Sequence, residues 1–182
     1  LKNKKEKCLK PDIVLKKIKP ILEDKSIKKV GQNIKFDYII FKKNKININP
    51  MEDTMLASYV LDAGLNRHNL DTLSEIHLGH KTISFKDLVG SGKKKITFED
   101  VDLKKATEYA GEDADVTFRL YQLLKQRLDQ EKLTKIYEIF EKPMVELLAE
   151  IEINGVRVDK EYLKKLSKKF TDKILKIEKE IY

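Results

Sequence analysis

The first third of the chain changes from a helical to a strand-like spacing of apolar residues. Residues 12–24 carry isoleucine and leucine near the helical period and predict an amphipathic helix, with Pro20 as a candidate break. Lys29–Gly31 predicts a short strand leading into a helix over residues 33–41. Residues 46–51 alternate apolar and polar side chains, which is the period of a half-buried strand. The pattern therefore predicts two strands separated by a helix.

Helix-capping residues follow the second predicted strand. Asp53 is the predicted N-cap of a helix over residues 54–61. Asn69 or Asp71 would cap the next helix, which is predicted to end near His77. These capping residues predict that two helices begin directly after extended segments.

Long helical patterns dominate the rest of the chain. Residues 82–97 contain Gly-Ser-Gly followed by three lysines and predict a mobile surface loop. Long helices are then predicted over residues 103–130 and 133–153, with Pro143 as a boundary or kink in the second. Asn154-Gly155, with apolar residues on both sides, predicts a β-hairpin, and Asp159 is the expected cap of a final charged helix.

Composition sets broader limits. The 182 residues include 38 basic and 30 acidic side chains, for a formal net charge of +8. Such an excess is typical of proteins that bind phosphate groups, but lysine also accumulates on solvated surfaces of proteins from AT-rich coding sequences. The single cysteine, Cys8, excludes an internal disulfide and is typical of a reducing compartment. No apolar run has the length of a signal or membrane-spanning segment, so we expect a cytoplasmic protein without a membrane partner.

Candidate chemistry lies in residues 30–37 (VGQNIKFD) and 109–117 (YAGEDADVT). Each segment has an aspartate four residues after a polar or phenolic side chain, a spacing that places both on one helix face. Hard divalent cations take oxygen ligands and leave positions open for water and phosphate. Two carboxylates in such surroundings are therefore what a magnesium-dependent phosphodiesterase needs.

The two segments resemble the second and third motifs of the 3'-5' proofreading exonuclease domain of bacterial DNA polymerase I. Four further blocks occur in that family's order: DTMLASY, RHNLDTL, HKTISF and EINGVRVD. The resemblance extends from about residue 12 to residue 182 and implies an α/β, ribonuclease H-like 3'-5' exonuclease fold that is mostly helical here. The family's first motif, an Asp-x-Glu on a buried strand, is absent. We therefore expect an N-terminally truncated fragment of a longer polypeptide.

The resemblance also predicts how the chain divides. Residues 1–140 are similar to the exonuclease domain without its first strands, and residues 141–182 resemble the start of the polymerase domain, where the chain enters the thumb. The implied protein is a DNA-directed DNA polymerase I of replication and repair. This portion would remove mismatched 3'-terminal nucleotides by two-metal phosphodiester hydrolysis.

Site residues follow from the same resemblance. In the family, Asp37 and Asp113 help to hold two divalent cations, Mg²⁺ or Mn²⁺, in the complete domain. Tyr109 helps to orient the attacking water, since a phenol with an ordinary pKa near ~10 is a poor base. Further residues occupy positions that approach the single-stranded 3' end of the primer strand of DNA: Gln32, Asn33, Phe36, Arg67 and Phe85. The full-length protein is expected to be a monomer.

Alternative interpretations remain open at this stage. Without the resemblance, Asp37 would be a surface residue and Tyr109 a packing residue of amphipathic helices. One alternative for the whole chain is a stand-alone exonuclease of the ribonuclease D type, which shares the tyrosine-containing motif. The other is a catalytically inactive domain that positions DNA. Residues 154–159 and the following helix favour the polymerase over the ribonuclease D type.

Other titratable residues are assigned ordinary roles. Glu112 and Asp115 are near the tyrosine motif and are expected to face solvent or to pair along the helix. His77 and His80 are three residues apart, but no cysteine or third histidine lies nearby in the sequence. We therefore expect helix-end or solvent roles for both histidines rather than a zinc site.

Overall fold

The computed structural model describes residues 9–92 and 95–182, so Cys8, Lys93 and Lys94 lie outside the described residues. The helices are α1 (Pro11–Glu23), α2 (Ile34–Lys43), α3 (Thr54–Asp62), α4 (Leu70–Leu78), α5 (Phe85–Val89), α6 (Leu103–Gln130), α7 (Thr134–Ile136), α8 (Lys142–Asn154) and α9 (Lys160–Ile181). The strands are β1 (Lys29–Gly31) and β2 (Met51–Asp53). The described residues up to Glu150 form one compact unit, and Ile151–Tyr182 form a second. The predicted mostly helical α/β class is confirmed.

β1 and β2 pair in parallel, with Lys29 opposite Met51 and Gly31 opposite Asp53. The prediction of β1 is confirmed, but the prediction of a strand over residues 46–51 is wrong except at its last residue. Ile46 and Ile48 are buried, but they lie in an irregular segment that does not pair with another strand. The alternation of apolar and polar residues therefore reflects burial alone. A proline cannot donate a ladder hydrogen bond, and the strand begins directly after Pro50.

The start of α2 differs from the predicted helix over residues 33–41. Asn33 has a left-handed backbone with φ of 56°, and the helix begins at Ile34. The amides of Asn33 and Ile34 each donate to the Asp53 carboxylate at 3.0 Å. Asp53 also accepts from the Met55 amide at 2.9 Å, as its predicted capping role requires. Because Asn33 stands outside α2, the expectation that it shares a helix face with Asp37 is wrong.

The main core of the first unit lies along α6. Val116, Leu120, Leu124 and Leu128 are spaced four residues apart and are fully or almost fully buried. They pack against Ala57 of α3, Leu73 of α4 and Tyr137. α6 has the predicted bounds of 103–130, so this prediction is confirmed. α1 is also confirmed, and it continues through Pro20.

A π-helical turn, Tyr137–Glu141, lies directly before the predicted kink at Pro143. Proline cannot donate a helical hydrogen bond, which is a common cause of local changes in helix winding. Within the turn, the buried Tyr137 hydroxyl accepts from the Asp53 amide at 2.9 Å and donates to Glu52 at 3.2 Å. Lys142 binds the same Glu52 carboxylate at 3.0 Å. These bonds connect β2 to the helices after α6.

Two local predictions in residues 69–97 need revision. Asn69 is at the N-cap position of α4 but makes no capping hydrogen bond with its side chain. Residues 82–97 are not entirely loop, because Ser84 caps α5 and Val89 is buried against Val101 and Ala106. Burial of these apolar residues explains why a short helix forms beside the glycines.

The second unit consists of the end of α8, a short connection and α9. The predicted β-hairpin at Asn154-Gly155 is wrong, because α8 ends at Asn154 and no strand follows within residues 151–182. Gly155 has φ of +72° and donates to the Ile151 carbonyl at 2.9 Å, which is the geometry of a helix C-terminus. Asp159 accepts from the Tyr162 amide at 2.9 Å, so its predicted cap on α9 is confirmed.

Within the described part of the chain, no helix combines the length and the apolar character needed to cross a lipid bilayer.

Candidate active site

A cleft of about 710 Å³ lies where α4 and α6 approach β1 and the start of α2. Four residues predicted for the site line it: Gln32, Asp37, Tyr109 and Asp113. Asp37 comes from α2, whereas the pair in α6 is more than 70 positions later in the sequence. The fold therefore brings the two motifs into one cavity.

Tyr109 and Asp113 lie on successive turns of α6, and both line the cleft. Burial, and to a smaller extent the interaction with Asp113, raise the pKa of Tyr109 to about 12. The hydroxyl is therefore a donor at neutral pH. Burial also raises the pKa of Asp113; the interaction with Tyr109 lowers it, and the negative charges of Asp71 and Glu112 raise it.

Asp37 is exposed and lines the cleft. Partial burial raises its pKa, because removing water disfavours the charged form. A bound cation would reverse this cost, since a nearby positive charge favours an ionised carboxylate. Partly desolvated carboxylates are thus compatible with cation binding.

The residues predicted to bind DNA are distributed unevenly around the cleft. Gln32 lines it, but both ends of its amide are occupied within the protein: Nε2 donates to the His68 carbonyl and Oε1 accepts from Thr54. Phe85 contacts the ring of Tyr109 at a centroid distance of 6.2 Å.

Four of the five predicted DNA-binding residues are outside the lining of the cleft, and Phe85 is one of them. Phe36 and Arg67 are exposed. Asn33 lines a separate cavity of about 170 Å³, near Asp53 and Met144. The structure therefore does not bring Asn33 together with Asp37 and Asp113.

Glu112 has a role that the sequence did not indicate. Its carboxylate accepts from the Ile83 amide at 2.6 Å and lies 2.8 Å from Nε2 of His80. Burial alone would raise the pKa of Glu112, but these two hydrogen bonds outweigh it and lower the pKa. The solvent or helix-pairing role expected for Glu112 is therefore wrong. Asp115 is exposed and pairs with Arg119 one turn away, as expected.

Asp71 was missed as a component of the cleft. It is in the first turn of α4, lines the cleft and accepts from the Thr82 hydroxyl at 2.7 Å. The sequence predicted Asp71 only as one of two candidate caps of this helix. Of the two histidines, His77 is in the last turn of α4, as expected, whereas His80 contacts Glu112.

The site provides carboxylate oxygens but not a complete set of ligands for a metal pair. Among residues 9–92 and 95–182, no group of three or more histidine, cysteine, aspartate or glutamate side chains comes together as a metal site. Asp37 and Asp113 remain the candidates to hold a hard cation.

This combination of fold and cleft defines a class of nuclease. The family model described as 3'-5' exonuclease matches residues 3–129. The chain belongs to this 3'-5' exonuclease family, whose members generally depend on divalent metal ions.

Curated relatives narrow the comparison to a particular kind of protein. DNA polymerase I of Rhizobium leguminosarum is 48% identical over 168 residues, which cover 92% of this chain and 16% of that protein. DNA polymerase I of Pseudomonas aeruginosa is 41% identical over 175 residues, which cover 94% of this chain and 19% of that protein. The chain thus spans less than one fifth of the length of these relatives.

A solved structure shows the same fold. Brucella melitensis NrnC superposes with a TM-score of 0.63 at 21% identity, covering 81% of this chain and 66% of that chain. At this identity the similarity concerns the fold alone. Together with the family match, it confirms the predicted ribonuclease H-like 3'-5' exonuclease fold.

Proposed function

We propose that this chain is the 3'-5' exonuclease portion of a DNA polymerase I and removes mismatched 3'-terminal nucleotides from the primer strand. The observation that carries this proposal is the convergence of Asp37, Tyr109 and Asp113 on one cleft. Carboxylates from two separate elements meet there beside a phenol, in a chain that belongs to the exonuclease family.

Asp37 and Asp113 are the residues that would hold the divalent cations, Mg²⁺ or Mn²⁺. When bound, such cations lower the pKa of a coordinated water and stabilise charge on the leaving 3' oxygen. Two carboxylates are a sparse ligand set for two ions, and the family's Asp-x-Glu would complete it. We therefore expect the 182 residues alone to be nearly inactive.

Tyr109 acts in this proposal as a positioning donor. With a pKa of about 12, its hydroxyl keeps its proton at neutral pH and is too weak an acid–base group to take a proton from water. The hydroxyl lies one turn from Asp113 on the cleft side of α6 and lowers the pKa of that carboxylate. In the proposal, it orients the attacking water.

The proposed DNA contacts are with a single-stranded 3' end. Phe85 offers an aromatic face beside Tyr109, and Arg67 and Phe36 are exposed and available for phosphate and base contacts. Gln32 lines the cleft and supports its wall through the hydrogen bond of its amide to His68, whereas Asn33 lies outside the cleft and its backbone amide donates to Asp53.

The proposed full-length protein is a monomeric, cytoplasmic DNA polymerase I acting in replication and repair. The match to the Rhizobium polymerase covers 92% of this chain, so it extends into residues 141–182. This extent supports the polymerase start proposed for those residues over a ribonuclease D type of enzyme. The domain boundary near residue 141 is part of the proposal.

The test uses the natural protein at its full length. It should release nucleotides from a mismatched 3' end with Mg²⁺, and Asp113→Ala should abolish release while polymerisation persists. No release by the unmodified protein would indicate the inactive, DNA-positioning alternative. Release without any polymerase activity would indicate the ribonuclease D type.

A further inference from the structure

Three aromatic rings form a cluster at the edge of the cleft. Phe85 and Phe98 are stacked, with ring centroids 6.0 Å apart and an angle of 23° between the ring planes. Each is also 6.2 Å from the ring of Tyr109. The ring of Tyr109 thus belongs to the cluster, and its hydroxyl interacts with Asp113. We call Phe85, Phe98 and Tyr109 the aromatic cluster.

The two phenylalanines remain largely accessible to solvent. Phe85 is 47% exposed and Phe98 is 39% exposed, although the neighbouring Val89 and Val101 are each 3% exposed. The fold therefore buries apolar side chains close by and leaves both phenylalanine rings accessible. Adjacent exposed aromatic rings beside a candidate active site offer apolar faces that a ligand can cover.

The position of Phe85 is determined by hydrogen bonds on its N-terminal side. The Ile83 amide donates to Glu112, which is adjacent in sequence to Asp113. The Ser84 hydroxyl accepts from the Lys86 amide at 3.1 Å and caps α5. These bonds hold the segment of Phe85 next to the turn of α6 that carries Tyr109 and Asp113 before any ligand binds, which reduces the entropy cost of binding.

We propose that Phe98 is a further substrate-binding residue, which forms with Phe85 a stacking surface for bases at the single-stranded 3' end. The inference rests on the proposed exonuclease function. Nucleobases of every type have an aromatic face, so such a surface binds without sequence preference. A base on the cluster would place the adjoining backbone phosphate near Tyr109 and Asp113.

Binding measurements test this role. Single-stranded oligonucleotides with 3'-terminal phosphorothioate linkages are titrated against the natural full-length protein, with Ca²⁺ in place of Mg²⁺. Phe98→Leu should weaken binding about 5-fold or more, the lower range for loss of one base–aromatic stack, and Phe98→Tyr should stay within about 2-fold. Phe140→Leu is the matched control, because Phe140 is also exposed but outside the cluster.

Abasic substrates separate stacking from a structural role. If Phe98 stacks on a base, removing the bases at the terminal positions should weaken binding to the unmodified protein. On these abasic strands, Phe98→Leu should cause little further loss of affinity. An equal loss from Phe98→Leu on intact and abasic strands would overturn the inference, because the ring would only support the fold. If Phe98→Leu does not fold, Phe98→Met takes its place.

The outcomes also distinguish the inference from the proposed function. Failure of the unmodified protein to bind single-stranded DNA would overturn both. Weaker binding by Phe85→Leu together with unchanged binding by Phe98→Leu would overturn the role of Phe98 alone.

Discussion

Tyr109 and Asp113 lie one turn apart on α6 and line the same cleft, where each influences the pKa of the other. Asp37 faces the same cleft from α2. A phenol that remains protonated can fix the orientation of an adjacent carboxylate, and that carboxylate would otherwise be free to rotate. In the proposed function, the aspartates are therefore the candidate metal ligands and the tyrosine has a positioning role.

Replacing either cleft carboxylate should remove exonuclease activity without unfolding the protein. Mutation of a residue that only hydrogen-bonds to a metal ligand typically lowers metal affinity or activity ~10–100-fold. Replacing a ligand itself, by Asp37→Asn or Asp113→Asn, should therefore lower the exonuclease rate at least about 100-fold. Release of nucleotides from a 3'-labelled strand by the full-length protein is the measurement. Asp115→Asn is the control on the same helix, since Asp115 only pairs with Arg119 at the surface. Near-normal release by Asp113→Asn would contradict the assignment.

Tyr109→Phe should lower the exonuclease rate while changing the metal concentration for half-maximal activity little. Burial raises the pKa of Tyr109 to about 12, so the hydroxyl is neutral until about pH 11 and loses its proton only as the pH rises through that value. The rate profiles of the wild type and Tyr109→Phe should therefore be parallel from about pH 6 to pH 10. An inflection within this range that disappears in Tyr109→Phe would show that the tyrosine titrates during turnover.

Glu112→Ala should release the segment that leads to Phe85. Glu112 accepts the Ile83 amide and contacts His80, and hydrogen bonds to charged groups contribute ~1.5–3 kcal/mol. Hydrogen exchange of the Ile83 amide should then become at least about 10-fold faster. Asp115→Ala provides the comparison on the same helix. Unchanged exchange at Ile83 would show that other contacts hold this segment.

The ion pair between Asp62 and Arg127 should make stability depend on pH. Arg127 donates to both Asp62 oxygens at 2.8 and 3.1 Å, connecting α3 to α6. Hydrogen bonding by Arg127 lowers the pKa of Asp62. Asp62→Asn should therefore cost ~1.5–3 kcal/mol of unfolding free energy at neutral pH.

The sign of the pH effect follows from the lowered pKa. The stabilisation is complete above the ordinary aspartate pKa of about 4 and is lost as the pH falls through the lower pKa of the folded state. The difference between wild type and Asp62→Asn in urea unfolding should be constant above about pH 5 and shrink below about pH 4. A difference that persists undiminished in acid would show that packing, not charge, accounts for it.

The elements that could be predicted from the sequence are those stabilised locally. α6 has helical periodicity over 28 residues, and β1 and the caps at Asp53 and Asp159 were also located correctly. Asn154-Gly155 was misassigned because the same dipeptide suits a tight β-turn and a left-handed helix end. A hairpin needs a partner strand, and the residues after Gly155 continue instead into α9.

The motifs by themselves predicted Asp37, Tyr109 and Asp113 as site residues, because the residue types and their order are specific. The tertiary structure alone decided that these residues share a cleft, that Asp71 joins them, and that Glu112 holds residues 80–83 beside them. Glu112 and Ile83 are 29 positions apart, and no periodic pattern links them. Such contacts depend on how the helices pack across the core. Burial of apolar side chains determines this packing, and the packing determines which distant polar groups come within hydrogen-bonding distance.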